Sequence, residues 1–202
     1  MQFIKYIFIV LLLIPCTSFA QNNIVDLEEI EKYLNSIKTI ESNFTLTDTN
    51  GNKTTGKFML HRPGKMRFEY DAPIKDFIVA DGTRIYFYDS EMKQPSSMPL
   101  DNSLANLFLR EEINLSKDIE VSKIYNDKNL IKMTLQNKKE PLYGSLTLFL
   151  GKNPLELTRW KVTDSQNLST FIELNNVKFN TKIDENIFYY RDPEREKLFL
   201  NR

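Results

Sequence analysis

The stretch GKFMLHRPGKMRFEYDAPIKDFIVADGTRIYFYD, residues 56–89, decides the fold of this chain. Side chains two positions apart lie on the same face of a β-strand. In Lys57–Arg62 and again in Met66–Tyr70, large apolar residues occupy alternate positions, and Pro63-Gly64 separates the two segments. This pattern predicts two antiparallel strands joined by a tight turn, each with one apolar face and one mostly charged face.

The second half of the stretch predicts another pair of strands. Phe77–Ala80 is apolar at every position, as in a strand that is covered on both faces. Asp81-Gly82 is a strong hairpin signal, and the aromatic run Ile85–Tyr88 follows it. The two hairpins together predict a meander of four antiparallel strands with large apolar side chains on a common face.

Strand patterns continue on both sides of this meander. A helix is predicted at Asp26–Thr39, where apolar residues recur at helical spacing and Asp26 caps the start. Further strands are predicted at Glu41–Thr49, Ile119–Tyr125, Leu130–Gln136, Gly144–Leu150, Leu155–Thr163, Leu168–Leu174 and Ile187–Tyr190, with a turn at Asn175-Asn176 after the sixth of these. The result is a mainly β protein of about ten to eleven antiparallel strands.

Two segments interrupt the strand pattern. Polar Glu91–Pro99 predicts a loop, because it contains two prolines and a Ser-Ser pair. A short amphipathic helix is predicted to follow, capped by Asp101 or Ser103. Its apolar face carries Leu104, Leu107 and Phe108. The tail Arg191–Arg202 is charged apart from an apolar island at residues 198–200, and no role is assigned to it.

Residues 1–20 have the pattern of a secretory signal peptide. A basic segment precedes the apolar run Ile7–Ile14, and Ser18-Phe19-Ala20 is a small-x-small cleavage site. We expect cleavage after Ala20, which removes the only cysteine, Cys16, and leaves residues 21–202 as a single domain. Pro15 disfavours lipid attachment at Cys16, because a small residue normally precedes a lipidated cysteine.

The composition argues against several functional classes. Lys and Arg total 27 and Asp and Glu total 27, so no bulk charge draws the chain to nucleic acid. Trp160, Phe149 and Phe171 are candidate base-stacking rings, but no basic stripe interleaves them in the sequence. His61 is the only histidine and is predicted to be a solvated surface residue. We predict no catalytic residue, metal or cofactor, because the residues for the usual constellations are missing.

The aromatic side chains leave two interpretations of the core. Large apolar faces usually pack against each other, which favours a filled sandwich or barrel. The alternative is a cavity, because an arginine, Arg62, shares the strand face of Phe58 and Leu60. A guanidinium is hard to bury in a filled core without partners, whereas the mouth of a cavity closed by a movable helix supplies them. Arg62 also has a purely structural interpretation, in which its side chain reaches the rim of the sheet.

An ordered series of motifs in residues 56–89 carries a family resemblance. The series is Arg62-Pro63-Gly64, Arg67-Phe68-Glu69-Tyr70, Pro73, Val79-Ala80-Asp81-Gly82 and Ile85-Tyr86-Phe87-Tyr88-Asp89. With the signal peptide before it and the strands after it, the chain resembles the periplasmic outer-membrane lipoprotein carrier family, the LolA-type proteins.

The resemblance implies a fold, a ligand and partners. The implied fold is an incomplete antiparallel β-barrel, lidded by short α-helices over a hydrophobic cavity. The implied function is a periplasmic chaperone that carries lipoproteins by their acyl chains, from an inner-membrane ABC transporter to an outer-membrane receptor. We expect a monomer that is not an enzyme and has no nucleic-acid partner. Two alternatives stay open: an outer-membrane lipoprotein receptor, and another periplasmic lipid-binding or sensor module of the same fold.

The resemblance also implies roles for particular residues. The predicted ligand-binding residues are Phe44, Phe58, Leu60, Met66, Phe68, Tyr70, Tyr86 and Tyr88. The predicted lid comprises the helix with Leu104, Leu107 and Phe108, and a second candidate lid element is the first helix. In the family, the arginine that matches Arg62 bonds the backbone of the lid when the cavity is empty, so Arg62 is the predicted lid latch.

Overall fold

A computed structural model describes residues 25–117 and 119–195, which form one eleven-stranded antiparallel sheet with short helices. The helices are α1 (Leu27–Ser36) and α2 (Asn106–Leu109), with 3₁₀ helices at Leu100–Asn102, Pro141–Tyr143 and Glu185–Phe188. The strands are β1 (Thr39–Thr47), β2 (Lys53–His61), β3 (Lys65–Tyr70), β4 (Phe77–Asp81), β5 (Arg84–Asp89), β6 (Gln94–Pro99), β7 (Ile119–Asn126), β8 (Leu130–Asn137), β9 (Ser145–Lys152), β10 (Leu155–Thr163) and β11 (Ser169–Phe179).

The sheet consists of two meanders, β1–β6 and β7–β11. They are joined by pairing of β1, the first strand of the first meander, with β11, the last strand of the second. The strand order is β6-β5-β4-β3-β2-β1-β11-β10-β9-β8-β7, so β6 and β7 are its two edges and the sheet is open. The sheet curves strongly, as shown by the rings of Phe58 on β2 and Trp160 on β10, which lie 5.2 Å apart although three strand-to-strand steps separate these strands. The predicted mainly β fold is confirmed, including all four strands of the 56–89 meander.

Helix α1 begins as its sequence predicts. The side chain of Asp26 accepts hydrogen bonds from the backbone N–H groups of Glu28 and Glu29, at 3.0 and 3.2 Å. This cap satisfies two of the N–H groups that have no partner within the helix. Ile30 and Leu34 are buried in the core, but the helix ends at Ser36, three residues earlier than predicted.

Two predictions about strands are wrong, but the number of strands is unaffected, because one strand was missed and one was predicted in excess. Residues 94–99, predicted as a loop, form the edge strand β6, in which Pro95 pairs with Tyr88 and Pro99 with Arg84. An edge strand tolerates proline because one side of it has no partner strand to receive an N–H bond. The strand predicted near Ile187–Tyr190 is replaced by the 3₁₀ helix Glu185–Phe188.

Two boundary predictions are also wrong. Asn175-Asn176 is not a turn, since β11 continues to Phe179 through a register shift at which Asn176 adopts a positive φ of 55°. An asparagine tolerates this conformation better than most residues, so the signal for a turn marks a bulge. Neither Asp101 nor Ser103 caps α2, because Ser103 Oγ donates to the Leu100 carbonyl and Asp101 accepts from the Asn106 side chain.

The C-terminal segment covers part of the outer face of the sheet. His61, predicted to be solvated, is half-buried there, with Nδ1 3.7 Å from Glu185 and its ring 6.3 Å from Phe188.

The predicted signal peptide with Cys16 and the apolar island at residues 198–200 lie outside the described residues. In the part of the chain that the structure describes, no helix is long and apolar enough to cross a membrane.

Candidate functional site: an apolar cavity

The concave face of the first meander carries one continuous row of large apolar side chains. Strand register places Phe58 opposite Phe68, Phe68 opposite Ile78, and Ile78 opposite Phe87. Residues directly opposite each other on neighbouring strands point to the same face of a sheet. The row therefore crosses β2, β3, β4 and β5 and forms one wall of a cavity.

The second meander supplies the opposite wall. Trp160 lies opposite Leu148 on β9 and Ile172 on β11, and Val162 lies opposite Leu146 and Thr170. Between the two walls is a cavity of about 420 Å³. It is lined by Leu46, Phe58, Leu60, Met66, Phe68, Tyr70, Ile78, Ile85, Phe87, Ser103, Leu104, Ala105, Phe108, Leu109, Leu146, Leu148, Trp160, Val162, Thr170 and Ile172.

The lining is almost entirely uncharged and apolar. Its polar side-chain groups are the hydroxyls of Ser103, Thr170 and Tyr70 and the ring N–H of Trp160. Burial, helped by the charge of Asp76, raises the pKa of Tyr70 above its ordinary value of 10.0, so this hydroxyl stays neutral at physiological pH. A cavity of this volume and character suits a hydrocarbon ligand.

Five of the eight residues predicted to bind ligand line this cavity, namely Phe58, Leu60, Met66, Phe68 and Tyr70. Phe44 is fully buried behind them, where its ring makes edge contacts with Phe68 at 5.1 Å and Tyr70 at 5.4 Å. Phe44 therefore supports the cavity wall and is outside the set of residues that line it.

Tyr86 and Tyr88 were assigned to the wrong face. Tyr88 lies opposite Phe77, which puts it on the outer face of the sheet, where it stacks on that ring at 5.1 Å. Tyr86 stacks on Tyr190 of the C-terminal segment at 4.6 Å. All four residues of Ile85–Tyr88 are apolar or aromatic, so the run has no alternation, and only pairing with β4 shows that Ile85 and Phe87 face the cavity.

Helix α2, the predicted lid, lies over the cavity. Leu104 and Phe108 line the cavity, whereas Leu107 is buried beside it in the core. The Phe108 ring lies 6.3 Å from the Trp160 ring across the cavity. The segment after α2 is held to α1 by Asn35, which donates to the Ile113 carbonyl and accepts from the Ile113 N–H, both at 2.8 Å.

Arg62 lies where both helices meet the sheet. Its side chain is 5% exposed, and Nη1 donates to the Leu34 carbonyl of α1 at 2.8 Å. The guanidinium carbon lies 4.7 Å from the centre of the Phe108 ring of α2. Within the described residues, Nε and Nη2 have no hydrogen-bond partner. Burial lowers the pKa of Arg62 to about 10, so the side chain remains charged at neutral pH.

The backbone of the same turn also holds both helices. The Arg62 N–H donates to the Lys38 carbonyl after α1, and the Gly64 N–H donates to the Leu109 carbonyl of α2, both at 2.8 Å. The structure therefore places the predicted latch in contact with both predicted lid elements.

Several cavity residues were missed by sequence reasoning, chiefly Trp160, Leu148, Ile78 and Phe87. Trp160 was singled out as a possible base-stacking ring, together with Phe149 and Phe171, but these two lie on the outer face. The available signal was the alternation Leu157, Trp160 and Val162 on β10, which a register shift after Leu157 obscures.

Comparison with known proteins identifies the family. Residues 35–191 match the family model described as outer membrane lipoprotein carrier protein LolA. The chain belongs to the LolA family. An outer-membrane lipoprotein carrier protein of Chromohalobacter salexigens is 27% identical over 192 residues, covering 91% of this chain and 90% of that protein. One of Methylococcus capsulatus is 24% identical over 204 residues, covering 96% of this chain and 98% of that protein.

Solved structures include a similar chain. The crystal structure of a LolA superfamily protein from Nitrosomonas europaea aligns with a TM-score of 0.48 at 9% identity, covering 83% of this chain and 99% of that one.

Proposed function

We propose that this LolA family member is a periplasmic chaperone that carries lipoproteins by their acyl chains. It accepts them from an inner-membrane ABC transporter and delivers them to an outer-membrane receptor. The working protein is a single domain, residues 21–202, left by signal-peptide cleavage after Ala20, and it is a monomer without enzymatic activity.

The observation that carries the proposal is the apolar cavity beneath α2. Exposing one acyl chain of about 15 methylenes to water costs about 12 kcal/mol, at about 0.8 kcal/mol per CH₂. A carrier must therefore cover the chain during transit, and an uncharged cavity of about 420 Å³ does so without burying a charge inside it. Phe58, Leu60, Met66, Phe68 and Tyr70 contact the acyl chain in this proposal.

Arg62 and α2 control entry to the cavity in this proposal. The hydrogen bond from Arg62 to Leu34 and the contact with Phe108 hold α1 and α2 over the empty cavity. Leu104 and Phe108 face the ligand, so an acyl chain must displace them as it fills the site. Loading therefore opens the lid and release closes it.

A matched pair of neighbouring aromatic residues tests ligand binding. Phe87 faces the cavity, whereas Tyr86 faces outward on the same strand. Trp160 is the only tryptophan and lines the cavity, so its fluorescence reports occupancy. Phe87→Asn is expected to weaken binding of a long-chain fatty-acyl probe at least tenfold, because apolar burial is lost. Tyr86→Asn should leave it unchanged.

Equal effects of the two substitutions, or no Trp160 response in the native protein, would contradict an acyl-binding cavity.

Carriage is tested by mixing the purified protein with spheroplasts that hold acylated lipoproteins in the inner membrane. Release of lipoproteins into a soluble complex, followed by transfer to outer-membrane vesicles, is the expected result. Intact mass of the protein from an export-competent host tests processing: acylation at Cys16 would favour the receptor class.

A further inference from the structure

Two neighbouring turns expose apolar side chains at one end of the sheet. Leu142 and Tyr143 lie in the turn between β8 and β9, and Leu168 lies in the turn between β10 and β11. Leu142 is 83% exposed and Leu168 is 50% exposed. Phe171, near the start of β11, is also exposed. We call these four residues the apolar rim.

The turns that carry the apolar rim are held together. Gly144 has a φ of +110°, and a Cβ on it would lie 2.1 Å from the Thr163 carbonyl oxygen, so the first turn passes directly against the end of β10. Asp164 Oδ1 accepts the backbone N–H groups of Gln166 and Leu168, at 2.8 and 2.9 Å, which closes the second turn. The exposed side chains therefore belong to one ordered surface.

The apolar rim lies at an end of the cavity. Leu146, Val162 and Thr170 line the cavity and lie opposite one another on β9, β10 and β11. Each is within a few residues of the turns that carry Leu142 and Leu168. An apolar ligand that entered between these strand ends would pass the apolar rim.

The outer face of the sheet beside the apolar rim is basic. Strand register sets Lys123, Thr134, Thr147, Lys161, Phe171, Thr47 and Lys53 in one row, and Tyr125, Lys132, Phe149, Arg159 and Glu173 in the next. These rows hold five cations and one carboxylate. Cations cover the rings: Arg159 lies 4.5 Å from Phe149, and Lys161 lies 5.9 Å from Phe171. Basic residues that are far apart in the sequence are thus brought beside Phe149 and Phe171 by the pairing of the strands.

The excess of cations is a property of these two rows, since acidic groups also lie beside them at the turns and at Glu120, which faces outward opposite Gln136. Asp48 and Asp164 accept backbone N–H groups within their own turns, and Glu140 has Lys138 and Lys139 beside it in the chain. Glu173 lies 3.4 Å from Arg159.

We propose that the apolar rim and the basic rows behind it form a contact surface for a lipid bilayer with anionic headgroups. Leucine and aromatic side chains enter the interfacial region, while lysines behind them meet lipid phosphates. The proposal rests on the proposed function in one respect: it sets the end of the acyl-binding cavity that lies away from Arg62 against the membrane in which acyl chains reside.

The size of the apolar rim favours a bilayer over a protein partner or a second copy of the chain. An aromatic side chain buries about 150–250 Å² when fully covered. Four partly exposed side chains thus fall well short of the ~800 Å² per partner that a stable protein interface covers. A bilayer requires no matching surface, so a few projecting apolar residues with cations nearby are sufficient.

Co-sedimentation with vesicles tests the surface, using the protein purified from the periplasm of an export-competent host. Vesicles of phosphatidylcholine with phosphatidylglycerol are compared with phosphatidylcholine alone. The double variant Leu142→Asn with Leu168→Asn is expected to weaken binding to the anionic vesicles about tenfold or more. The matched control Met92→Asn alters a 66% exposed apolar side chain on the β5–β6 turn and should bind like the native protein.

The cations are tested separately. Lys53→Gln with Lys161→Gln should remove most of the preference for anionic vesicles, and raising the salt from about 0.1 M to about 1 M should do the same. Absence of native binding, equal binding to both vesicle types, or an equal effect of Met92→Asn would each overturn the proposal. A dimer in solution that the Leu142 and Leu168 substitutions abolish would instead assign the rim to a second copy. Cavity binding, read from Trp160, tests lipoprotein carriage independently of all these outcomes.

Discussion

Replacing Arg62 by leucine is expected to change the overall stability very little, although the arginine is buried and contacts two helices. The charged hydrogen bond to Leu34 contributes about 1.5–3 kcal/mol. The contact with the Phe108 ring contributes about 0.5–2 kcal/mol. Against these stands the burial of the guanidinium, which lowers its pKa to about 10 and costs about 3 kcal/mol. The opposing contributions nearly cancel, so Arg62→Leu should lie within about 2 kcal/mol of the native protein.

The same balance predicts an unusual order among substitutions. Lysine at position 62 keeps a charge but has no planar group to lie on Phe108, and an ammonium ion is more strongly hydrated than a guanidinium. Arg62→Lys should therefore be less stable than Arg62→Leu. Urea denaturation followed by Trp160 fluorescence measures both free energies of unfolding.

The pH dependence has a defined sign. Because the folded-state pKa of Arg62 lies below the unfolded value, the unfolded chain binds more protons than the folded chain above about pH 10. The cost of burying the charge is therefore constant below pH 10 and fades above it. The stability difference between native protein and Arg62→Leu should shift in favour of the native protein as pH rises past 10.

Arg67 provides the matched control for Arg62. It also donates to a backbone carbonyl, that of Ile187 at 3.0 Å, and lies 5.0 Å from an aromatic ring, Phe77, but on the outer face. Arg67→Leu should leave acyl-probe uptake unchanged, whereas Arg62→Leu should speed it because α1 and α2 lose a common anchor. A loss of more than about 4 kcal/mol in Arg62→Leu, or a lysine variant more stable than the leucine variant, would refute the cancellation.

Three further predictions concern the elements around the cavity. Gly56→Ala should destabilise the fold by about 1–3 kcal/mol in urea denaturation, because the new Cβ would lie 2.0 Å from the Glu69 carbonyl oxygen; Gly151→Ala, where the nearest atom to a Cβ is 3.7 Å away, is the control, and an equal loss there would contradict the steric account. Asn35→Ala should increase amide hydrogen exchange in residues 110–117, since both bonds to Ile113 are lost; unchanged exchange would show that this segment is held by its apolar contacts alone. Contact with Lys65 lowers the pKa of Glu185 below 4.5, so its contribution is present above pH 4.5 and lost as pH falls through the lowered value; Glu185→Gln should therefore flatten the acid side of the stability curve, and an unchanged curve would disprove the pairing.

Local sequence patterns were sufficient for most of the secondary structure. Alternating apolar residues predicted strands β2 and β3, the Asp81-Gly82 signal predicted the β4–β5 hairpin, and Asp26 predicted the start of α1. These features depend on contacts between residues near each other in the chain, so composition and spacing record them. Strand β6 was missed because it is an exposed edge strand that pairs on one side only. Such a strand can be polar and can contain proline, so its sequence resembles that of a loop.

The cavity lining was predictable only where alternation was clear. Phe68 and Tyr70 alternate with charged residues, and Phe58 alternates with Gly56 and Leu60 across Lys57 and Met59, so the apolar face could be deduced from the sequence. Ile85–Tyr88 has no such contrast, and both faces of β5 are covered, one by the cavity wall and the other by the C-terminal segment. A strand that is apolar on both sides does not reveal its orientation until its pairing is known.

The sequence by itself determined that the chain is mainly β, that a helix precedes the first strand, and that an arginine shares a face with large apolar residues. Only the tertiary structure decided that Trp160 contacts Phe58 in the lining of one cavity, that Tyr86 faces away from it, and that Arg62 contacts both α1 and α2. The reason is physical: these relations join residues far apart in the chain through strand register and sheet curvature, and a shift of one residue in register would reverse each strand's faces.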